Sequence, residues 1–234
     1  SFDEVPDYPD GTNIYYKNKN WITIDGWTPF SNNGTISVEN GILTSTRDAT
    51  HFSSFNKTFA IPANSISKLI LKDTSDTNIY IYRYTDGSYV SSKTVTLKAN
   101  VSQEVVFSIS ASSTSLMLRN SSVIGAGKLQ IESIYIGDGS YSTPIIDNAD
   151  GQNNSVSAQG FVANKGVSGK GVTFYNGTNK TIRVKWDSSN WDRAYTISCW
   201  IKVNNSNVYI VGWDTTYAVQ NHFLRYNNVN KNIY

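Results

Sequence analysis

The sequence predicts an all-β protein, a jelly-roll or β-sandwich domain followed by a second, incomplete β domain. Three observations predict it. Apolar and polar residues alternate at period two in many short runs along the 234 residues. Gly, Asn and Asp pairs separate those runs at short intervals, as turns do. The run YTISCWIKV (195–203) alternates without a break, with Ile197, Cys199, Ile201 and Val203 on one face and Thr196, Ser198, Trp200 and Lys202 on the other.

Composition narrows the class. Only 16% of residues are charged, against roughly a quarter in typical soluble domains, so Asn, Ser and Thr must keep the surface wet. Fifteen Tyr and six Trp supply flat rings with polar tips, suited to strands that bind while staying hydrated. Such a balance favours an exported or virion-surface protein over a cytosolic enzyme. Net charge is +2 with no basic cluster, which argues against a nucleic-acid partner, whose phosphates demand a basic stripe. No apolar run approaches the ~18 residues of a membrane helix, so no membrane insertion is expected. The single cysteine, Cys199, has no internal disulfide partner and reads as a small buried hydrophobe. The chain opens on Ser1 without a signal peptide, so a processed chain or a piece of a longer one is expected.

Residues 1–20 carry Pro6 and Pro9 in an acidic, then polar stretch, read as an extended, poorly ordered N-terminal connector. A first domain is expected over 21–139, with strands at 21–25, 35–45, 51–59, 68–72, 78–84, 88–98, 104–110, 115–119 and 128–136. Turn signals include Asn40-Gly41 and Asp86-Gly87. Residues 65–70 also fit one helical turn, but the alternation of Leu69 and Leu71 favours a strand. The last strand loses parity at Ser133, as a bulge would.

The sharpest pattern in this domain is IYIYRY (79–84). Ile79 and Ile81 share one face, while Tyr80, Tyr82 and Tyr84 form a ladder on the other. At a strand rise of about 3.3 Å, alternate rings lie about 6–7 Å apart. Flat rings at that spacing can receive successive sugar units, whose C–H faces stack on aromatics while their hydroxyls meet amides and Arg. The same rings could instead pack under a loop or against cross-strand neighbours. Trp27 is a candidate at the rim of this site.

A linker is expected over 140–155, within a Gly-, Asp-, Asn- and Ser-rich stretch (137–157). Asp138, Asp147 and Asp150 make calcium possible there, but their spacing fits no defined calcium loop, and a solvated linker explains them better. The second domain, 156–234, places Gly166, Gly169, Gly171 and Gly177 around short alternating runs at 172–174 and 181–186. Strands at 195–203 and 208–213 follow, and another begins at 223–226. These are too few to close a sandwich. Trp213, Asp214 and Arg225 are weaker saccharide-binding candidates here; Trp200, a large aromatic in mid-strand, is expected to be packed.

The glycine-punctuated stretch resembles the opening of the laminin-G-like, concanavalin A-like jelly roll. Gly169, Lys170, Gly171, Phe174 and Gly177 match its entry strand, and Ile197, Ser198, Trp200, Ile201 and Lys202 match a following strand. The match covers about residues 166–213, and the later strands of that family are missing, so an incomplete copy is implied. The first domain is similar to the jelly-roll carbohydrate-binding modules of glycoside hydrolases. The tandem arrangement, the composition and the IYIGDGSY stretch (134–141) resemble accessory baseplate and tail proteins of tailed phages that infect Gram-positive bacteria. That resemblance implies adhesion to host cell-surface polysaccharide, other virion baseplate or tail proteins as partners, and a place in the virion, or otherwise a secreted protein.

Catalysis is not expected. Glycoside hydrolysis needs two carboxylates ~5–10 Å apart across the scissile bond, and no predicted strand carries acidic residues at i and i+2 or i+4. Glu104 and Glu132 are isolated, Asp187 and Asp192 suit turns, and His51 and His222 lack triad partners. No His/Cys cluster suggests a metal. The expected function is non-catalytic carbohydrate binding centred on Tyr80, Tyr82 and Tyr84. A structural spacer in a virion baseplate and the accessory module of a secreted glycoside hydrolase are the alternatives. A ladder buried under loops or under another chain would favour the spacer.

Overall fold

A computed structural model describes residues 7–31, 34–122 and 125–142, together with strands at 155–159, 161–165, 170–174, 181–184, 208–213, 221–227 and 232–233. No helix occurs among the described residues. The fold is all-β. Ten strands precede residue 138: β1 (Ile14–Lys19), β2 (Thr35–Glu39), β3 (Ile42–Arg47), β4 (Ser54–Ile61), β5 (Ser65–Asp73), β6 (Thr77–Thr85), β7 (Ser88–Leu97), β8 (Gln103–Ile109), β9 (Ser113–Asn120) and β10 (Gly127–Gly137).

One sheet runs β2-β3-β10-β5-β8, with β1 also paired to β10, and the other runs β4-β9-β6-β7. From β3 onward the chain crosses repeatedly from sheet to sheet, and the order β3-β10-β5-β8 facing β4-β9-β6-β7 is that of an eight-strand jelly roll. Two hairpins set its registers. Asn40-Gly41 joins β2 to β3 and Asp86-Gly87 joins β6 to β7. All four residues have positive φ, between 47° and 79°, as a two-residue primed turn requires. The first of these turns splits the single strand expected over 35–45. The bulge expected at Ser133 appears as a register shift between Ile131 and Ser133 against β5.

Two early expectations need correction. Residues 14–19, placed in a connector, pair antiparallel with β10. Here Tyr16 packs against Phe59, ring centres 4.9 Å apart, so aromatic burial outweighs the flanking prolines. Residues 21–25 form no strand. Trp21 is buried and Ile22 is 92% exposed, an alternation produced by a loop that turns at Asp25 and Gly26, both with positive φ.

Between the sheets lies one apolar core that includes Trp27, Leu43, Phe55, Leu69, Leu71, Ile79, Ile81, Leu116, Leu118, Ile131 and Ile134. At one end, Arg47 on β3 reaches Asp73 at the end of β5 through two hydrogen bonds of 3.0 and 2.8 Å. Neither side chain has any exposure. Asn120 on β9 also donates to Asp73 at 3.2 Å, so this polar cluster links the two sheets. A bidentate pair with further hydrogen bonds is the form in which buried charge is tolerated.

The contacts divide the chain at 188/189, not after residue 139. In the first unit, β11 (Ser155–Gln159) pairs with β14 (Thr181–Val184), and β12 (Phe161–Lys165) with β13 (Lys170–Phe174). Strand β12 touches the outer side of the first sheet, where Val162 packs with Ile66 and Tyr135 and Lys68 donates to the Ala163 carbonyl at 2.6 Å. Tyr141, expected in a solvated linker, instead stacks on Phe161 with ring centres 4.7 Å apart and planes at 19°. The second unit contains the antiparallel sheet β15 (Val208–Trp213), β16 (Asn221–Asn227) and β17 (Asn232–Ile233). The run 195–203, with Cys199 and Trp200, lies outside the described residues.

Candidate functional site

The candidate site is the outer face of the β4-β9-β6-β7 sheet. Alternation along β6 puts Ile79, Ile81 and Arg83 inward, at 0%, 2% and 4% exposure. Tyr80, Tyr82 and Tyr84 are thereby turned outward and half-buried. Ring centres are 5.6 Å apart for Tyr80 and Tyr82 and 6.2 Å for Tyr82 and Tyr84. Their planes are tilted by 57° and 37°, so the ladder is ribbed rather than flat. Burial pushes the Tyr84 phenol above its ordinary pKa, with the neighbouring Tyr82 and Tyr89 adding to the rise and Arg119 opposing it.

Three further residues complete the face, and sequence reading missed all of them. Tyr89, 60% exposed, pairs with Tyr84 across the hairpin, and its ring lies 6.3 Å from both Tyr82 and Tyr84. Arg119 on β9 pairs with Tyr80 on β6. Its guanidinium carbon lies 5.8 Å from the Tyr82 ring centre and 5.1 Å from that of Phe52, within cation–π range. The two-residue turn at Asp86-Gly87 was signal enough to place Tyr89 opposite Tyr84. Arg119 had no such signal, because its neighbours come from strands far away in sequence.

Polar groups rim the rings. Ser92, Thr94 and Thr96 lie opposite Tyr82, Tyr80 and Asn78 on β7, and all three are exposed. Tyr89 donates to Ser92 at 3.0 Å and Thr96 to Asn78 at 2.7 Å. On the opposite side of β6, a cleft of about 220 Å³ is lined by Ile81, Arg83, Ser92, Lys93, Phe107 and Ser108. It shares Ser92 with the rim of the ladder but none of its rings, and Arg83 there donates to the Ala111 carbonyl at 2.7 Å.

Trp27 does not belong to this face. It is fully buried, donates from Nε1 to Tyr16 Oη at 2.9 Å and meets Phe55 edge-on. Its place as a rim residue is corrected: the turn at Asp25-Gly26 folds the indole into the core. Trp213 and Arg225 lie on the paired strands β15 and β16 of the second unit, and Asp214 lies outside the described residues. These three are the weaker candidates that the sequence places in the second domain, apart from the ladder.

The other candidates have local partners. Asp138 accepts from Asn13 at 2.8 Å and from Ser140; Asp147 and Asp150 lie outside the described residues. No cluster of three His, Cys, Asp or Glu suited to a metal occurs among the described residues. Glu104 pairs with Lys68 at 3.1 Å, and Glu132 accepts from Ser102 at 2.6 Å. His51 sits against Asp48 at 2.8 Å on an exposed turn.

No family model matches the chain, and no curated protein sequence matches it. Solved structures similar to it include the unliganded carbohydrate-binding module BiXyn10A CBM1, at 12% identity over 54% of this chain and 99% of that one, with a TM-score of 0.39. The family 16 carbohydrate-binding module-2 is 12% identical over 50% of this chain and 94% of that one, at a TM-score of 0.37. A variant family 29 module complexed with mannohexaose is 10% identical over 53% and 89%, at 0.40.

Proposed function

We propose that the outer face of the four-stranded sheet binds a saccharide chain without catalysis. The observation that carries this reading is the row Tyr80, Tyr82 and Tyr84, joined by the exposed Tyr89 and bordered by Ser92, Thr94 and Thr96. It rests on that face and not on the likeness to the modules named above. Stacking rings with adjacent hydroxyls match a pyranose, which is apolar on its faces and polar at its edge. Rings tilted by 37° and 57° cannot all lie against one flat surface, so a single chain that bends from ring to ring fits better than a crystalline array.

The finer reading follows from the phage resemblance: the saccharide belongs to the envelope of a Gram-positive host and the protein to a virion. A shallow face holds one chain weakly, and many copies on a particle would make useful adhesion from it. A spacer role predicts a ladder covered by loops or by another chain, and the described loops of this chain leave all four rings at least partly open. Titration of the full chain with soluble polysaccharides tests the proposal. Binding that Tyr82→Ala weakens by roughly tenfold supports it; no binding to any polysaccharide, by the chain or by a multivalent display of it, removes it.

A further inference from the structure

We infer that the saccharide held on this face is anionic, and that Arg119 pairs with its acidic substituent. The inference rests on the saccharide-binding reading above and specifies its ligand.

Charge on the binding sheet is one-sided. Strands β4, β6, β7 and β9 contain no Asp or Glu, but they carry Lys57, Arg83, Lys93 and Arg119. The facing sheet, by contrast, includes Glu39, Asp73, Glu104 and Glu132. Two of the four cations have partners, and a third lies off the ladder. Lys57 is 3.6 Å from Asp25 and Arg83 turns inward to the Ala111 carbonyl, while Lys93, opposite Ile81, is exposed on the cleft side of the sheet.

Arg119 differs. It projects among the ladder rings, between Tyr82 and Phe52, and its Nε is buried without a hydrogen-bond partner. Among the described residues no carboxylate pairs with it. Two acidic residues that flank these strands in sequence are engaged elsewhere. Asp76 holds Ala99 and Lys98, and Asp48 holds Thr50 and His51. Asp86 sits at the hairpin turn, where Thr114 accepts from its backbone N–H.

A guanidinium kept between two rings is oriented but not neutralised. Its planar fork matches a carboxylate or phosphate in two-point contact. A neutral sugar would leave that charge uncompensated while covering it, which disfavours binding. An acidic sugar stacked on Tyr80 or Tyr82 would bring the compensating charge with it. The shared chemistry is an oxyanion carried by a sugar chain, supplied by a uronate or by a phosphodiester.

The test uses the full chain in calorimetric titration against three probes: an oligogalacturonate, its fully methyl-esterified counterpart, and a poly(glycerol phosphate) oligomer bearing sugars. An uncompensated contact to a charged group makes a difference on the order of tenfold or more. The expected result is that the wild type prefers the acid over the ester, or the phosphate oligomer over the ester, by about that factor. Arg119→Gln should then reduce binding to the level of the ester. Which of the two acidic probes is preferred identifies the source of the anion. Equal binding of acid, phosphate oligomer and ester overturns the inference and leaves the saccharide reading standing. A preference that survives Arg119→Gln also overturns it, because the charge is then read elsewhere. Binding confined to neutral glucans or mannans and lost in Tyr82→Ala overturns the anion assignment alone. No binding to any polysaccharide, acidic or neutral, by the chain or by a multivalent display of it, overturns both readings. The wild-type comparison of acid with ester needs no variant, so it stands if Arg119→Gln does not fold.

Discussion

Tyr84 and Tyr89 face each other across the β6–β7 hairpin, with ring centres 6.3 Å apart and planes at 74°. The primed turn at Asp86-Gly87 creates that meeting: Thr85 pairs with Ser88 and Tyr84 with Tyr89. One short turn thus adds a fourth ring to a ladder of three. With 60% of its surface open to solvent, Tyr89 has little to contribute to folding.

Tyr89→Ala is therefore expected to weaken saccharide binding by several-fold while leaving thermal stability unchanged, since exposed substitutions usually fall within about 0.5 kcal/mol. Tyr82→Ala removes the ring that touches Tyr80, Tyr84 and Tyr89 and lies beside Arg119. It should cost more, roughly tenfold or about 1.4 kcal/mol. Paired calorimetry and melting curves separate the two effects. A binding loss that tracks a falling melting temperature would mean the rings are structural.

Much of this face was legible in the sequence because its causes are local. Alternation in IYIYRY sets the outward direction of the three tyrosines, and the Asp-Gly turn sets the hairpin. The parity loss at Ser133 marked the bulge by the same logic. Arg119 and Phe52 were not legible, because they reach Tyr82 through the pairing of β6 with β9, about forty residues on, and through the loop before β4. Trp27 misled for a related reason. A tryptophan near glycines looks like a surface platform, and only the positive φ of Asp25 and Gly26 shows that the chain folds it inward.

Trp27 gives the second prediction. Trp27→Phe keeps a ring against Phe55 but removes the Nε1 donor to Tyr16. Tyr16 still donates to Asp25 at 2.5 Å, so the loss is one hydrogen bond and some packing. A destabilisation of about 1–3 kcal/mol is expected in urea, with the affinity of the folded fraction unchanged. An affinity loss at unchanged stability would return Trp27 to the binding site.

A third prediction concerns the polar link between the sheets. Asp73→Ala leaves Arg47 buried and charged, facing Ser53 and Ser75 alone, and strips Asn120 of an acceptor. Breaking a buried pair from one side costs about 3–5 kcal/mol. The double variant Arg47→Met with Asp73→Leu removes both charges and should regain a large part of that loss. Denaturant midpoints for the single and double variants measure the coupling, and additive losses would show that the pair contributes only as separate residues.

Alkaline pH supplies the last prediction. Burial, the main cause, pushes the phenols of Tyr8, Tyr16, Tyr135 and Tyr141 above their ordinary value. For Tyr16 the hydrogen bond to Asp25 adds to the rise. For Tyr135 and Tyr141, backbone N–H donation from Gly139 and Ala163 partly opposes it. An unfolded tyrosine ionises near pH 10, so raised folded values mean the native state holds its phenolic protons more tightly. Stability from these groups is full below about pH 10 and declines as pH rises from there towards the folded pKa values. The expected titration therefore has two parts, with these buried phenols ionising only as near-UV circular dichroism is lost. Tyr135→Phe should flatten the alkaline decline even though it gives up the contact with the Gly139 N–H. If every phenol ionised in one smooth step near pH 10 with the near-UV signal intact, the buried tyrosines would have to be open to water, and the seating of β12 against Tyr135 would be wrong.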